Sequence, residues 1–233
     1  MLDGAARRAP SRRSYDRGVM NARRRRRWPW IVGALLVLLL VPAAILGLPI
    51  LLHQDGGSAN QETPVDDWPT LVTARGDDGR ERELAVLSPT PGGEVDTSAL
   101  RVGDRLVVSG TGYDASRGIY VAICVIPDDP DTRPGPCLGG VPSTEPTGDA
   151  EQSDEIEWAP SNWINDDWAW KLFGARAFDD VATGTFTAYL EVVEPVAEGV
   201  DCTTQRCAIY TRNDHTALGD RVQDLYIPIA YAR

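Results

Sequence analysis

Residues 185–192 read Thr-Phe-Thr-Ala-Tyr-Leu-Glu-Val, and their alternation sets the fold class. Phe186, Ala188, Leu190 and Val192 share one side of an extended chain, while Thr185, Thr187, Tyr189 and Glu191 share the other. A period of two with one apolar face describes a half-buried β-strand. The same reading extends outward in both directions. Leu106, Val108 and Gly110 alternate with Arg105, Val107 and Ser109, and Cys207, Ile209 and Thr211 alternate with Ala208, Tyr210 and Arg212. Ile119–Ile126 is apolar on both faces and so reads as a central strand covered on each side. Leu225–Tyr231 contains Pro228, which removes a ladder donor and places this last strand on an edge. With Leu84–Leu87 and a weaker segment at Ile156–Ala159 the expectation is about seven strands and no amphipathic helix. That pattern describes an all-β, Ig-like antiparallel sandwich over residues 84–233.

Upstream of these strands, Ile31–Leu52 is a run of 22 residues without a charge. A bilayer core of ~30 Å takes ~20 apolar residues in a helix. Arg23–Arg27 precede the run, with Trp28 and Trp30 at its border, as expected for a cytoplasmic flank and an interfacial belt. A transmembrane helix over 28–52, N-in and single-pass, therefore places the strands outside the cytoplasm. A cleaved signal peptide is the alternative; its apolar core is usually ~7–15 residues and ends at a small-residue site. Residues 1–27 read as a disordered Arg-rich cytoplasmic tail, and 53–83, rich in Gly, Asp and Glu, as an acidic stalk.

Charge divides in the same place. Residues 1–27 carry ten Arg against Asp3 and Asp16, or +8, whereas the remainder carries 13 basic against 32 acidic residues, or −19. An acidic outer part disfavours nucleic acid as its partner, and an Arg-rich tail beside a membrane meets anionic headgroups.

All four cysteines, Cys124, Cys137, Cys202 and Cys207, fall in the exported part, where an even count reads as two disulfides. Three pairings are open; the sequence-local one, Cys124–Cys137 with Cys202–Cys207, is the expectation. Its loops would contribute about 3 and 2 kcal/mol in the chain-entropy view. C-x4-C without paired histidines is a poor zinc pattern, so no metal is expected, nor any cofactor. Asp128, Asp129 and Asp131 lack the alternating ligand ladder of a calcium loop.

The stretches Val107–Cys124 (VVSGTGYDASRGIYVAIC), Pro136-Cys137 and Val200–Tyr210 (VDCTTQRCAIY) resemble the neocarzinostatin family of Ig-like domains. The resemblance covers most of residues 85–232. It implies the same two disulfides, and it extends to exported or membrane-anchored envelope proteins of high-GC Gram-positive bacteria. The family's antibiotic carriers are small secreted proteins, a departure from an anchored chain, and the region 127–170 is longer than the family's core.

For binding, Trp158, Trp163, Trp168 and Trp170 place four of the seven tryptophans within 13 residues. In a strand Trp168 and Trp170 would share a face and could stack a flat or sugar-like ligand; packing of the core is the alternative use. The hydrolase, metalloprotease and nucleotide-loop motifs G-x-S-x-G, H-E-x-x-H and Walker A are absent. His215, next to Asp214, is the one histidine placed to be a base, in a turn whose Asn, Asp and Thr need no catalytic explanation. The expectation is a membrane-anchored envelope binding module, not an enzyme, with an unidentified ligand or protein partner. Sequestration of a small apolar molecule in a carrier-like cleft is the second reading.

Overall fold

The computed structural model describes residues 28–52, 55–62, 68–140, 156–197 and 199–232. The expected Arg-rich tail and residues 141–155 of the connection before Ser161 lie outside the described residues. The chain divides into two units, one ending at Leu51 and the other beginning at Leu52.

The first unit contributes one helix, α1 (Trp28–Leu51), which runs through Pro42 without interruption. Its 24 residues extend about 36 Å at 1.5 Å each, enough for a bilayer core. By length and composition α1 can cross a membrane, a test that an N-terminal signal sequence also passes.

The second unit is a sandwich of two four-stranded sheets. One sheet is ordered β1 (Leu71–Arg75), β2 (Glu81–Leu87), β3 (Arg105–Thr111) and β6 (Phe186–Glu191). The other is ordered β10 (Tyr226–Ile229), β9 (Cys207–Asn213), β4 (Ile119–Val125) and β5 (Ser161–Ile164). Every pairing within them is antiparallel. Among the described residues a ribbon of β7 (Val196–Ala197) and β8 (Val200–Asp201) completes ten strands, and α2 (Trp168–Lys171) is a single turn. The core lies where the alternation predicts. Leu84, Val86, Leu106, Val108, Phe186, Ala188 and Leu190 face Ile119, Val121, Ile123, Ile209 and Ile227, all buried. As Pro228 requires, β10 is an edge strand.

Four expectations are corrected. The folded domain starts well before residue 84, because β1 and β2 form a hairpin with Leu71 opposite Ala85 and Arg75 opposite Glu81. As an edge strand, β1 buries little beyond Ala74, so its composition resembles a linker. Upstream, Ala59 is buried in the core, Ser58 bridges Arg221, and the Gln61 amide pairs with both backbone groups of Tyr226 (2.7 and 2.8 Å). The segment 55–61 thus covers the free edge of β10 instead of forming a stalk.

The strand expected at Ile156–Ala159 is β5, at Ser161–Ile164. Its polar Asn162 is buried and bonds both backbone groups of Tyr189 (2.9 and 3.3 Å), which hides the strand from a hydropathy reading. Residues 168–171 are helical, because Asp167 caps the turn by accepting from Ala169 N at 2.9 Å. The strand count rises from about seven to ten through β1 and the β7–β8 ribbon.

Both sequence-local disulfides form, Cys124–Cys137 and Cys202–Cys207. In the β3–β4 connection, Gly112 is required. Its φ is +80°, and an added Cβ would lie 2.0 Å from the Glu81 carbonyl oxygen.

Candidate functional site

The sheet β10-β9-β4-β5 turns one face to the core. On its other face Ala122, Cys124, Ala208, Tyr210 and Tyr226 form a second, smaller apolar cluster. Alternation dictates this set, since the neighbours Ile123, Ile209 and Ile227 point inward. Tyr210 and Tyr226 are direct cross-strand partners, and their rings stack at 4.8 Å with 27° between planes.

Loop segments pack over this face, and all five side chains are buried. Three segments rim it: Ser58–Gln61, the loop from Val125 to Pro134, and the turn at Gln205-Arg206, enclosing a cleft of about 570 Å³. Each disulfide holds one wall. Cys124–Cys137 ties the first loop back to β4, and Cys202–Cys207 closes the turn that carries Gln205 and Arg206.

Charge enters at one end. Arg221 Nη1 donates to Asp224 Oδ2 at 2.8 Å, both side chains are nearly buried, and both line the cleft. Asp224 Oδ1 is buried without a hydrogen-bond partner. Burial pushes the Asp224 carboxyl up to about 7, against the lowering influence of Arg221 and Arg133. Arg133 donates to the carbonyls of Leu218 and Asn213, and Arg212 donates to that of Pro134 at 2.7 Å. Burial lowers the Arg212 guanidinium to about 10. Burial also raises the Tyr210 phenol, which stays protonated as a hydrogen-bond donor. Chemically, the cleft offers a flat aromatic floor, amide and guanidinium donors at its rim, and a desolvated carboxyl at one end.

The four candidate tryptophans do not line this cleft. Trp158 packs edge-on against Tyr189 at 5.4 Å, under the Arg105 guanidinium. Trp163 is buried, with its Nε1 donating to Asp214 Oδ2 at 2.9 Å. Trp170 is half-buried against Trp163 and His215, and Trp168 points outward. Because residues 168–171 are helical, Trp168 and Trp170 do not share a face as they would in a strand.

Nor do Asp214 and His215 form an acid–base pair. The Asp214 carboxylate accepts from Trp163 Nε1, Asn165 Nδ2, Thr216 N and Thr216 Oγ1, which fills its acceptor sites. His215 Nδ1 instead meets the Tyr120 hydroxyl at 3.1 Å, with its ring edge-on to Trp163 and Trp170. Among the described residues no group of three His, Cys, Asp or Glu is placed to hold a metal ion.

Sequence reasoning missed the cleft itself. Tyr210 was legible as an outward residue of β9, but its partner Tyr226 sits across the sheet on a strand named for its edge position. The wall at Ser58–Gln61 was hidden in a stretch with the composition of a stalk.

No known family's model matches the chain, and no curated protein matches it. Among solved structures it is similar to macromomycin, at 19% identity and a TM-score of 0.33, over 64% of this chain and 99% of that one.

Proposed function

We propose that this chain is a membrane-anchored, extracytoplasmic binding module of a cell envelope, and that its cleft receives a small, flat ligand. The observation that carries the reading is the cleft beside the outer face of β9 and β10. A stacked tyrosine pair lies at its floor, and disulfide-held loops form its walls. Binding pockets combine an apolar, aromatic wall with a few directed polar groups, and this cleft has both. The volume suits a molecule of a few rings. The resemblance of residues 107–124 and 200–210 to the neocarzinostatin-like domains supports the same reading, and α1 with its Arg-rich flank supports the anchored placement.

The test is ligand-observed saturation-transfer NMR on the full chain in detergent, screening planar aromatic fragments with and without amino or carboxylate substituents. Binders should lose their signal transfer with the Tyr210→Ala, Tyr226→Ala double variant and keep it with Trp168→Ala. Transfer that survives the tyrosine double variant, in a protein with unchanged circular dichroism, refutes the assignment to the cleft.

A further inference from the structure

Beyond Leu52, the two most exposed large apolar side chains of the outer domain, Leu172 and Trp168, lie at one end of it, with Phe173 and Leu218 beside them. Trp168 is 69% exposed, Leu172 75% and Phe173 55%, on and just after α2, and Leu218 is 55% exposed in a neighbouring loop. The strand registers explain why they gather. Ile119, at the start of β4, lies opposite both Ile164, at the end of β5, and Asn213, at the end of β9. The chain therefore leaves β5 toward α2 and leaves β9 toward Leu218 from the same end of the sandwich, and the two excursions meet where His215 packs on Trp170 at 4.8 Å.

The chain from α1 enters the domain at this same end. Ser58 bridges Arg221 and donates its backbone N–H to Asp77 at 2.8 Å, and a Cβ added to Gly219 would lie 3.4 Å from Asp55 Oδ1. Between Leu52 and Asp55 there are three peptide steps, which reach about 11 Å at most. This end of the sandwich is therefore the one that the chain leaving α1 reaches first.

We propose that Trp168, Leu172 and Phe173 form a membrane-interface contact that seats the outer domain on the bilayer in which α1 is anchored. This rests on the anchored reading above. The residue types fit. Trp prefers the headgroup level, and Leu and Phe reach the acyl boundary. Lys171 is tied to Asp166 at 3.3 Å, and the outer domain as a whole is strongly acidic, so the contact is apolar and not a basic patch on anionic lipid.

The experiment uses the full chain reconstituted in phosphatidylcholine vesicles, which offer no net headgroup charge. The four native cysteines are disulfide-bonded, so Leu172→Cys introduces a single reactive thiol for an environment-sensitive fluorophore. Val102→Cys, exposed in the β2–β3 loop at the opposite end, is the control. Lipids carrying a quencher near the headgroup should quench the label at 172 several-fold more than the label at 102, equally at low and high salt. Equal quenching at both positions in vesicles that retain the protein through an alkaline wash overturns the contact while leaving the anchor intact. Loss of the protein in that wash overturns the anchored reading and this contact with it. Self-quenching at 172 that grows with protein-to-lipid ratio in unquenched vesicles assigns the surface to a second copy and overturns the lipid contact.

Discussion

Arg82 offers the sharpest energetic test of where the domain begins. Its side chain is fully buried, and its guanidinium meets Asp78 through Nη1–Oδ1 at 3.0 Å and Nη2–Oδ2 at 2.5 Å. Asp78 lies in the turn between β1 and β2, within the stretch whose composition suggests a stalk, and its side chain remains 22% exposed. The two halves of the pair are therefore not equivalent. Asp78→Ala leaves a guanidinium buried without its carboxylate, and removing one partner of a buried pair costs about 3–5 kcal/mol. Arg82→Met replaces the charge with an apolar chain of similar length. It leaves Asp78 within reach of water and of the Arg80 backbone N–H at 3.1 Å, so its cost is about 0–2 kcal/mol. Combining the two should recover much of the loss, giving a coupling of about 2 kcal/mol or more. Urea unfolding of the full chain in a mild detergent, followed by tryptophan fluorescence, measures all three. An Asp78→Ala cost below about 1 kcal/mol, the range of a surface change, would refute the reasoning and return residues 53–83 to the role of a stalk.

Other perturbations probe the strain, the staples and the cleft. Gly112→Ala forces a Cβ against the Glu81 carbonyl at positive φ and should lower stability by more than the ~1 kcal/mol of an ordinary glycine replacement, read as a drop in Tm. Replacing Cys124 and Cys137 together by Ala should cost about 3 kcal/mol, and replacing Cys202 and Cys207 about 2 kcal/mol, in urea titrations. Burial raises the Asp224 carboxyl to about 7, so the folded chain keeps a proton that the unfolded chain has already released above about pH 4. The associated stability is fully present below the unfolded value and is lost as pH rises through 7. The stability of wild type relative to Asp224→Asn should fall by on the order of 2 kcal/mol from pH 5 to pH 8, and a flat or rising difference would contradict the assigned burial.

The β-sandwich was legible because its core strands obey simple alternation. Phe186, Ala188 and Leu190 are buried, and Thr187 and Tyr189 are not. Where strands escape that pattern the reading failed for identifiable reasons. β1 is an edge with little to bury, and β5 buries Asn162 because that side chain bonds the backbone of β6. Local chemistry also overrode spacing at Trp168, where the Asp167 cap selects a helical turn and separates two tryptophans that a strand would align. The cleft was less legible than the fold. Its floor joins Tyr210 to Tyr226 across strands, and its wall comes from Ser58–Gln61, more than 160 positions from Tyr226 when measured at Gln61, whose separation is 165. Composition clusters such as the four tryptophans draw attention along the chain, whereas a binding surface is assembled across it.

The most direct measurement is aromatic NMR of the full chain with ring-labelled tyrosine and indole-labelled tryptophan, recorded while a fragment that binds is titrated in. Binding in the cleft predicts saturable shifts of the Tyr210 and Tyr226 ring signals, assigned through single Phe replacements, with the indole N–H signals of Trp163 and Trp170 unmoved. Shifts of those indoles with silent Tyr210 and Tyr226 would contradict the account and move the site to the tryptophan cluster.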